Sequence, residues 1–215
     1  SNMTVSPETP VTAILAPNEE NRVILEAKQE KSGHSSFRYS ARVFWGDPSR
    51  KAARDYAYLL PFEPGLKVRA GRGKAHVGDK VHAIDFGVPI GTPVCAARSG
   101  TVVLVRDDSD KQGTDPSYAK YANVIIIAHE DGTYGSYVKK KKGGALVKPG
   151  DKVIAGKVIG RSGHTGYSFN PHLHFEISES VESRPLRAIP ILFQIGPDEI
   201  GPLKNGSQYE SFRAN

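Results

Sequence analysis

The segment Pro171-His172-Leu173-His174-Phe175-Glu176-Ile177 alternates polar and apolar residues without a break. A period of two belongs to a β-strand with one face on a core and the other turned away from it. Leu173, Phe175 and Ile177 form the core face, so His172 and His174 project together from the opposite face. Imidazole is the commonest protein metal ligand, and a carboxylate from elsewhere completes a zinc-type donor set. Asp85 is the candidate carboxylate. Taken alone, the pair reads equally as two hydrogen-bonded surface histidines.

The rest of the chain is cut into short pieces. Its 215 residues include 22 Gly and 15 Pro. Apolar runs are short and β-branched and helical periodicity is scarce, which predicts an all-β fold. Strands are expected at 83–86, 93–96, 100–105, 123–129, 133–138, 152–154, 158–159 and 172–177, with a polar surface insertion at 107–120. Segments 89–103 and 147–160 share one design: a glycine turn, a short strand, a second glycine turn and another strand. Such units stack into a compact β-sandwich. The second resembles half of a biotinyl or lipoyl carrier domain, but neither has the modifiable lysine in its hairpin context.

Ahead of these, 11–15, 22–27 and 38–45 read as strands. Asp47-Pro48 offers a cap for a short helix over 49–56, and 56–62 looks extended. The organisation predicted is a small β-rich accessory module at 3–66, a main β domain at 67–195 and a C-terminal tail at 196–215. Residues 189–193 are expected to return along the sheet.

A net charge of +6 and a pI of about 9.3 favour an anionic partner such as a wall polymer or membrane surface, or serve solubility alone. Nucleic acid is not expected, since aromatics are only 8% and no stacking motif is present. Cys95 is the single cysteine and sits in an apolar strand context, which reads as a buried small hydrophobe. No stretch is apolar enough to span a membrane, and no signal peptide is visible. Ser1-Asn2 looks like a tag-cleavage remnant.

Residues from about 70 to 178 resemble the lysostaphin/LytM-type zinc metallopeptidases. The resemblance is carried, in order and spacing, by Ala83-Ile84-Asp85-Phe86, Gly91-Thr92-Pro93-Val94, His129-Glu130-Asp131-Gly132-Thr133, Gly150-Asp151-Lys152-Val153, Ser162-Gly163-His164-Thr165-Gly166-Tyr167 and Pro171-His172-Leu173-His174-Phe175-Glu176. It implies a duplicated-hybrid-motif β-sandwich or barrel, and a zinc-dependent endopeptidase that hydrolyses peptide bonds of peptidoglycan or its stem peptides. A periplasmic or extracellular location follows from the same likeness.

In that family Zn2+ is held by a His, an Asp and the second His of His-x-His. Asp85 and His174 match the last two. The usual first ligand stands four residues before the Asp, where this chain has Val81. His82 comes one residue later and turns away from Asp85 in a regular strand. His76 lies in the preceding glycine-rich loop and can fold back, as in a branch of the family. His76 is therefore the expected third ligand and His82 the alternative; the site lacks a third protein ligand if neither serves.

His172 matches one of the family's two assisting histidines. The other belongs to a Tyr-x-His-Leu stretch, which here is Tyr137-Val138-Lys139-Lys140. Lys139 therefore takes the second catalytic place. A lysine is no neutral base at pH 7 unless strongly desolvated, although its ammonium can stabilise an oxyanion. Losing a general acid or base typically costs about 10²–10⁴ in rate. The run Lys139–Lys142 also reads as a solvated hairpin. His129 is expected to be structural, and His164 and His34 to be turn or loop residues.

Two other readings stay open. One is a catalytically silent domain of the same fold that binds peptidoglycan or regulates another cell-wall hydrolase; Lys139 favours it, and the set Asp85, His172 and His174 opposes it. The other is a carrier or phosphotransfer domain, where a His-x-His face beside an Asp is unexpected. A cupin site fits poorly because Glu176 follows His174 too closely.

Overall fold

The computed structural model describes residues 3–8, 13, 23–34, 36, 38, 40, 43, 45–73, 76–181 and 184–213. Among these the only helical pieces are two 3-10 segments, Gly78–Lys80 and Pro116–Tyr121, so the fold is all-β.

The largest sheet has nine strands. Its order runs Lys152–Val153, Gly100–Arg106, Val124–Ala128, Thr133–Val138, His172–Val181, Ile84–Gly87, Lys67–Gly71 and Gln208–Glu210, with Arg184–Ala188 also paired to His172–Val181. The path has two ends, so this is an open sheet and not a closed barrel. A second sheet orders Lys140–Ala145, Val158–Ser162 and Pro93–Cys95. The two sheets share one core: Val94 and Ile159 of the smaller join Val102, Ile125, Ile127, Phe86, Leu173 and Phe175 of the larger. Each such apolar side chain taken fully from water contributes about 1.5–3 kcal/mol.

The two related glycine-turn segments exchange strands. Pro93–Cys95 of the first pairs with Val158–Ser162 of the second, and Lys152–Val153 of the second pairs with the start of Gly100–Arg106 of the first. This reciprocal pairing ties the sandwich together. Cys95 is fully buried on Pro93–Cys95, the edge strand of the smaller sheet, and forms no disulfide.

The Asp131-Gly132 signal closes the hairpin between Val124–Ala128 and Thr133–Val138. Gly132 takes φ 83°, and Asp131 Oδ1 accepts hydrogen bonds from the Thr133 N–H at 3.1 Å and hydroxyl at 2.7 Å. This is turn chemistry that a β-branched residue could not supply at position 132.

Several expectations are corrected. The predicted helix over 49–56 is absent: Asp47 instead closes a turn, accepting from Ser49 N at 2.9 Å and receiving the Arg50 N–H on its carbonyl at 3.2 Å. The 107–120 insertion is not a plain loop. It contains the strand Gln112–Gly113 and the 3-10 helix Pro116–Tyr121, capped by Asp115 Oδ1 accepting from Ser117 N at 2.9 Å. The lysine run is not uniformly solvated: Lys139 and Lys140 are buried, while Lys141 and Lys142 are exposed. The cause is local. Lys139 adopts φ 74°, the left-handed region, at the corner where the chain leaves one sheet for the other. That kink breaks the alternation and lets two successive lysines point inward.

The candidate strands 11–15 and 38–45 fall largely outside the described residues. In the third, 22–27, only the end is strand: Glu26–Gln29 pairs with Met3–Ser6. Tyr58, Leu60 and Phe62 belong to the same core as the main sheet. The return at 189–193 reaches a different partner, since Leu192–Gln194 pairs with Ala57–Tyr58 and with Ile200–Gly201. Within 196–215, Gln208–Glu210 adds to the edge of the large sheet at Lys67–Gly71.

Candidate metal centre

Antiparallel pairing of His172–Val181 with Ile84–Gly87 sets His174 directly across from Asp85 and His172 across from Gly87. Leu173 and Phe86 are fully buried on the core side, which leaves the imidazoles and the carboxylate together on the other. His174 Nδ1 lies 3.0 Å from Asp85 Oδ1. The third member comes from the loop before the strand: His76 Nε2 lies 3.2 Å from Asp85 Oδ2, and its ring meets that of His174 edge-on with centroids 5.0 Å apart. One ligand atom from each of His76, Asp85 and His174 falls within 4.8 Å of the others. His82 is half-buried in the turn between His76 and the strand and takes no part in this cluster.

Local chain geometry explains how a loop histidine reaches the sheet. His76 N–H donates to the Gly73 carbonyl at 3.1 Å, which ties the histidine to Gly73. The 3-10 segment Gly78–Lys80 then reverses the chain, with Ala83 N–H donating to the Lys80 carbonyl at 2.9 Å. Gly73 is required for space: a Cβ there would lie 2.8 Å from Asp85 Oδ2 and 3.6 Å from His76 Nε2. Sequence reading passes over Gly73 as one glycine of a polar loop; its position three residues before a histidine is the signal that marks it.

His172 stands beside the cluster, with Nε2 3.7 Å from Asp85 Oδ1. Its Nδ1 lies 2.7 Å from the Asn170 carbonyl and 3.2 Å from Ser168 Oγ. A carbonyl only accepts, so the hydrogen-bond pattern assigns the proton to Nδ1 and leaves the Nε2 lone pair facing the centre. Burial lowers the pKa of His172 and keeps the ring neutral. Lys139 is 8% exposed, and its Nζ donates to the Tyr167 carbonyl. Burial pushes its pKa down to about 8, against the pull of Asp85. Ser168, Asn170 and the Tyr167 carbonyl are not legible as site groups in the sequence, because their role is made by a loop folding over the sheet end.

Burial works against ionisation of Asp85. Hydrogen bonds from His174 and His76, with the positive potential of His174, outweigh it and hold the carboxyl well below the usual carboxylate range. Burial also disfavours the His174 imidazolium, yet Asp85 and Glu176 together raise its pKa above the ordinary value. Glu176 Oε2 sits 3.6 Å from His174 Nε2, on the side away from Asp85 Oδ1. His76 Nδ1 is buried without a hydrogen-bond partner among the described residues, so the polar anchor of the ring is the contact of Nε2 with Asp85. Two neutral-capable imidazoles and one ionised carboxylate, converging on one point with space kept by a glycine, are a donor set suited to a divalent ion such as zinc with a further position open.

The model of peptidase family M23 matches residues 79–186, half of the chain, and the chain belongs to that family of metallopeptidases. Among curated relatives, the peptidoglycan DD-endopeptidase ShyA of Vibrio cholerae serotype O1 is 39% identical over 105 residues, covering 49% of this chain and 21% of ShyA. Lysostaphin of Staphylococcus simulans is 38% identical over 102 residues, covering 46% of this chain and 18% of lysostaphin. An uncharacterized metalloprotease of Buchnera aphidicola subsp. Baizongia pistaciae is 43% identical over 140 residues, covering 64% of this chain and 32% of that protein. The chain thus spans less than a third of the length of these relatives. The solved catalytic domain of lysostaphin has 31% identity and a TM-score of 0.42, over 57% of this chain and 87% of that one.

Proposed function

We propose that this chain is a zinc-dependent endopeptidase domain that hydrolyses peptide bonds of peptidoglycan. The observation that carries the reading is the convergence of His76, Asp85 and His174 beside a neutral His172 whose Nε2 faces them. His76, Asp85 and His174 would hold the ion, and the Gly73 cradle keeps the carboxylate in place. When bound, zinc supplies a water of pKa about 7 and polarises the scissile carbonyl. His172 Nε2 would act as the proton-accepting and proton-donating atom toward the leaving amine, with the Asn170 carbonyl holding the tautomer. Lys139, with a pKa of about 8, is an ammonium at neutral pH and is suited to stabilise developing negative charge on the carbonyl oxygen. Residues 67–195 would carry this activity and 3–66 an accessory role. A peptidoglycan substrate places the domain in the periplasm or outside the cell. Among the described residues no helix is long and apolar enough to cross a membrane.

The second reading is a silent domain that binds peptidoglycan or another wall hydrolase. Its support is Lys139, whose hydrogen bond to the Tyr167 carbonyl engages the amine within the protein. Metal content and release of cleaved peptides from purified peptidoglycan, measured on one batch with His174→Ala beside it, separate the two. Stoichiometric zinc with hydrolysis, both lost in the variant, is the expected result. Zinc without hydrolysis, in wild type and in Lys139→His, supports the silent domain. Absence of zinc overturns the ligand assignment.

A further inference from the structure

The insertion between Gly100–Arg106 and Val124–Ala128 lines an open surface cleft of about 660 Å3 that the metal centre does not use. Tyr118 and Tyr121 form its wall, ring against ring at 5.8 Å. Lys111 Nζ lies 4.8 Å and Lys120 Nζ 5.1 Å from the centre of the same Tyr121 ring. Two ammonium groups thus lie within cation–π range of one tyrosine ring. Neither has a carboxylate within ion-pair distance among the described residues. The acid of the cleft wall, Asp110, is paired with Lys142 at 3.0 Å. Asp110 also feels the charge of Lys111, so the cleft carries more positive than negative groups and its local potential favours an incoming anion.

The cleft is fastened to the metal centre. Gln112–Gly113 pairs in parallel with Gly166–Tyr167. The Gly166 N–H donates to the Lys111 carbonyl at 2.8 Å and the Ser168 N–H to the Gly113 carbonyl at 2.9 Å. Gly166 has φ 79°, and a Cβ there would lie 2.6 Å from Ala122 Cβ, so the insertion's end packs directly on this loop. Two residues of this strap serve the centre: the Tyr167 carbonyl receives Lys139, and Ser168 Oγ lies against His172 Nδ1. This strap therefore joins the insertion that carries Lys111 and Lys120 to the groups around the centre.

We infer that the cleft is a specificity subsite that binds the carboxylate of an acidic residue in the peptide being cut, away from the scissile bond. This rests on the reading of the domain as a peptidase of wall peptides. The two lysines supply charge, and the tyrosine faces supply a surface for the flanking backbone and methylenes.

The test is a titration of full-length His174→Ala, which cannot complete the donor set. The probes are the stem tetrapeptide purified from peptidoglycan and the same peptide with its carboxylates amidated, read by NMR shifts of the Tyr118 and Tyr121 ring protons. The native peptide is expected to move both sets of signals, and the amidated peptide to bind roughly three- to tenfold more weakly, as two partly exposed ion pairs allow. Lys111→Gln/Lys120→Gln, which changes exposed side chains only, is expected to abolish that difference. Equal binding of the two peptides, unmoved tyrosine signals, or discrimination retained in the double variant would each overturn the inference. So would displacement by inorganic phosphate at the peptide's own concentration, which marks a generic anion site. Hydrolysis by wild type without carboxylate preference leaves the peptidase reading standing and removes the subsite. Carboxylate-dependent tyrosine shifts in a chain that cuts nothing do the reverse.

Discussion

Lys140 is fully buried, and its Nζ has no hydrogen-bond partner among the described residues. The nearest notable feature is the Tyr137 ring, 5.6 Å from the amine. Burial drives its pKa well below 10.5. In the folded state Lys140 therefore holds fewer protons than in the unfolded chain, from the depressed value up to 10.5. The contribution of this group is lowest below the depressed value and rises as pH climbs from there to 10.5. Lys140→Met keeps a flexible, unbranched side chain of similar length and deletes the amine. Removing an unsatisfied buried polar group is worth about 1–3 kcal/mol. At about 2–4 °C per kcal/mol for a chain of this size, Tm at pH 7 rises by roughly 2–12 °C. Paired urea melts at pH 7 and pH 10.5 check the sign: the variant is more stable at pH 7, with unchanged m, and its advantage shrinks at pH 10.5. A variant less stable than wild type at pH 7, or a gap that does not change with pH, refutes the reasoning.

Gly73→Ala is expected to leave the fold intact, since no positive φ is demanded there, yet to weaken zinc binding about 10–100-fold by pressing on Asp85 Oδ2; chelator competition measures it. If the Lys139 ammonium stabilises developing charge, hydrolysis of peptidoglycan falls as pH rises through about 8, and Lys139→Met lowers the rate and removes that alkaline limb. A rate that instead climbs through pH 8 assigns the neutral amine as base. Tyr137→Phe deletes the hydroxyl that accepts the buried Ala97 N–H at 2.7 Å and is expected to cost about 1–3 kcal/mol in denaturant melts.

The period-two pattern at 172–177, the short β-branched runs and the glycine turns are local properties, and they determine an all-β chain with His172 and His174 on one strand face. The order of motifs also carries Asp85 and the family. Strand pattern places each residue on a face but does not say which strand lies beside which, so the pairing of His174 with Asp85 appears only in the sheet register. The sequence leaves the third histidine open between His76 and His82 because a loop's path depends on contacts across the fold; it is His76, tied to the Gly73 carbonyl, that meets Asp85. The lysine run misleads for the same reason. Four consecutive cations read as solvent-exposed by composition, and only the left-handed corner at Lys139 turns two of them inward, one toward the centre and one into the core. The cleft on the insertion is the furthest from sequence: Lys111, Lys120, Tyr118 and Tyr121 are unremarkable in a row, and it is the 3-10 turn capped by Asp115 that folds them onto one another. Sequence sets what each segment is able to form, because propensity and side-chain alternation act over a few residues. Tertiary structure decides which charged groups lose their water, because burial and pairing depend on neighbours distant in the chain.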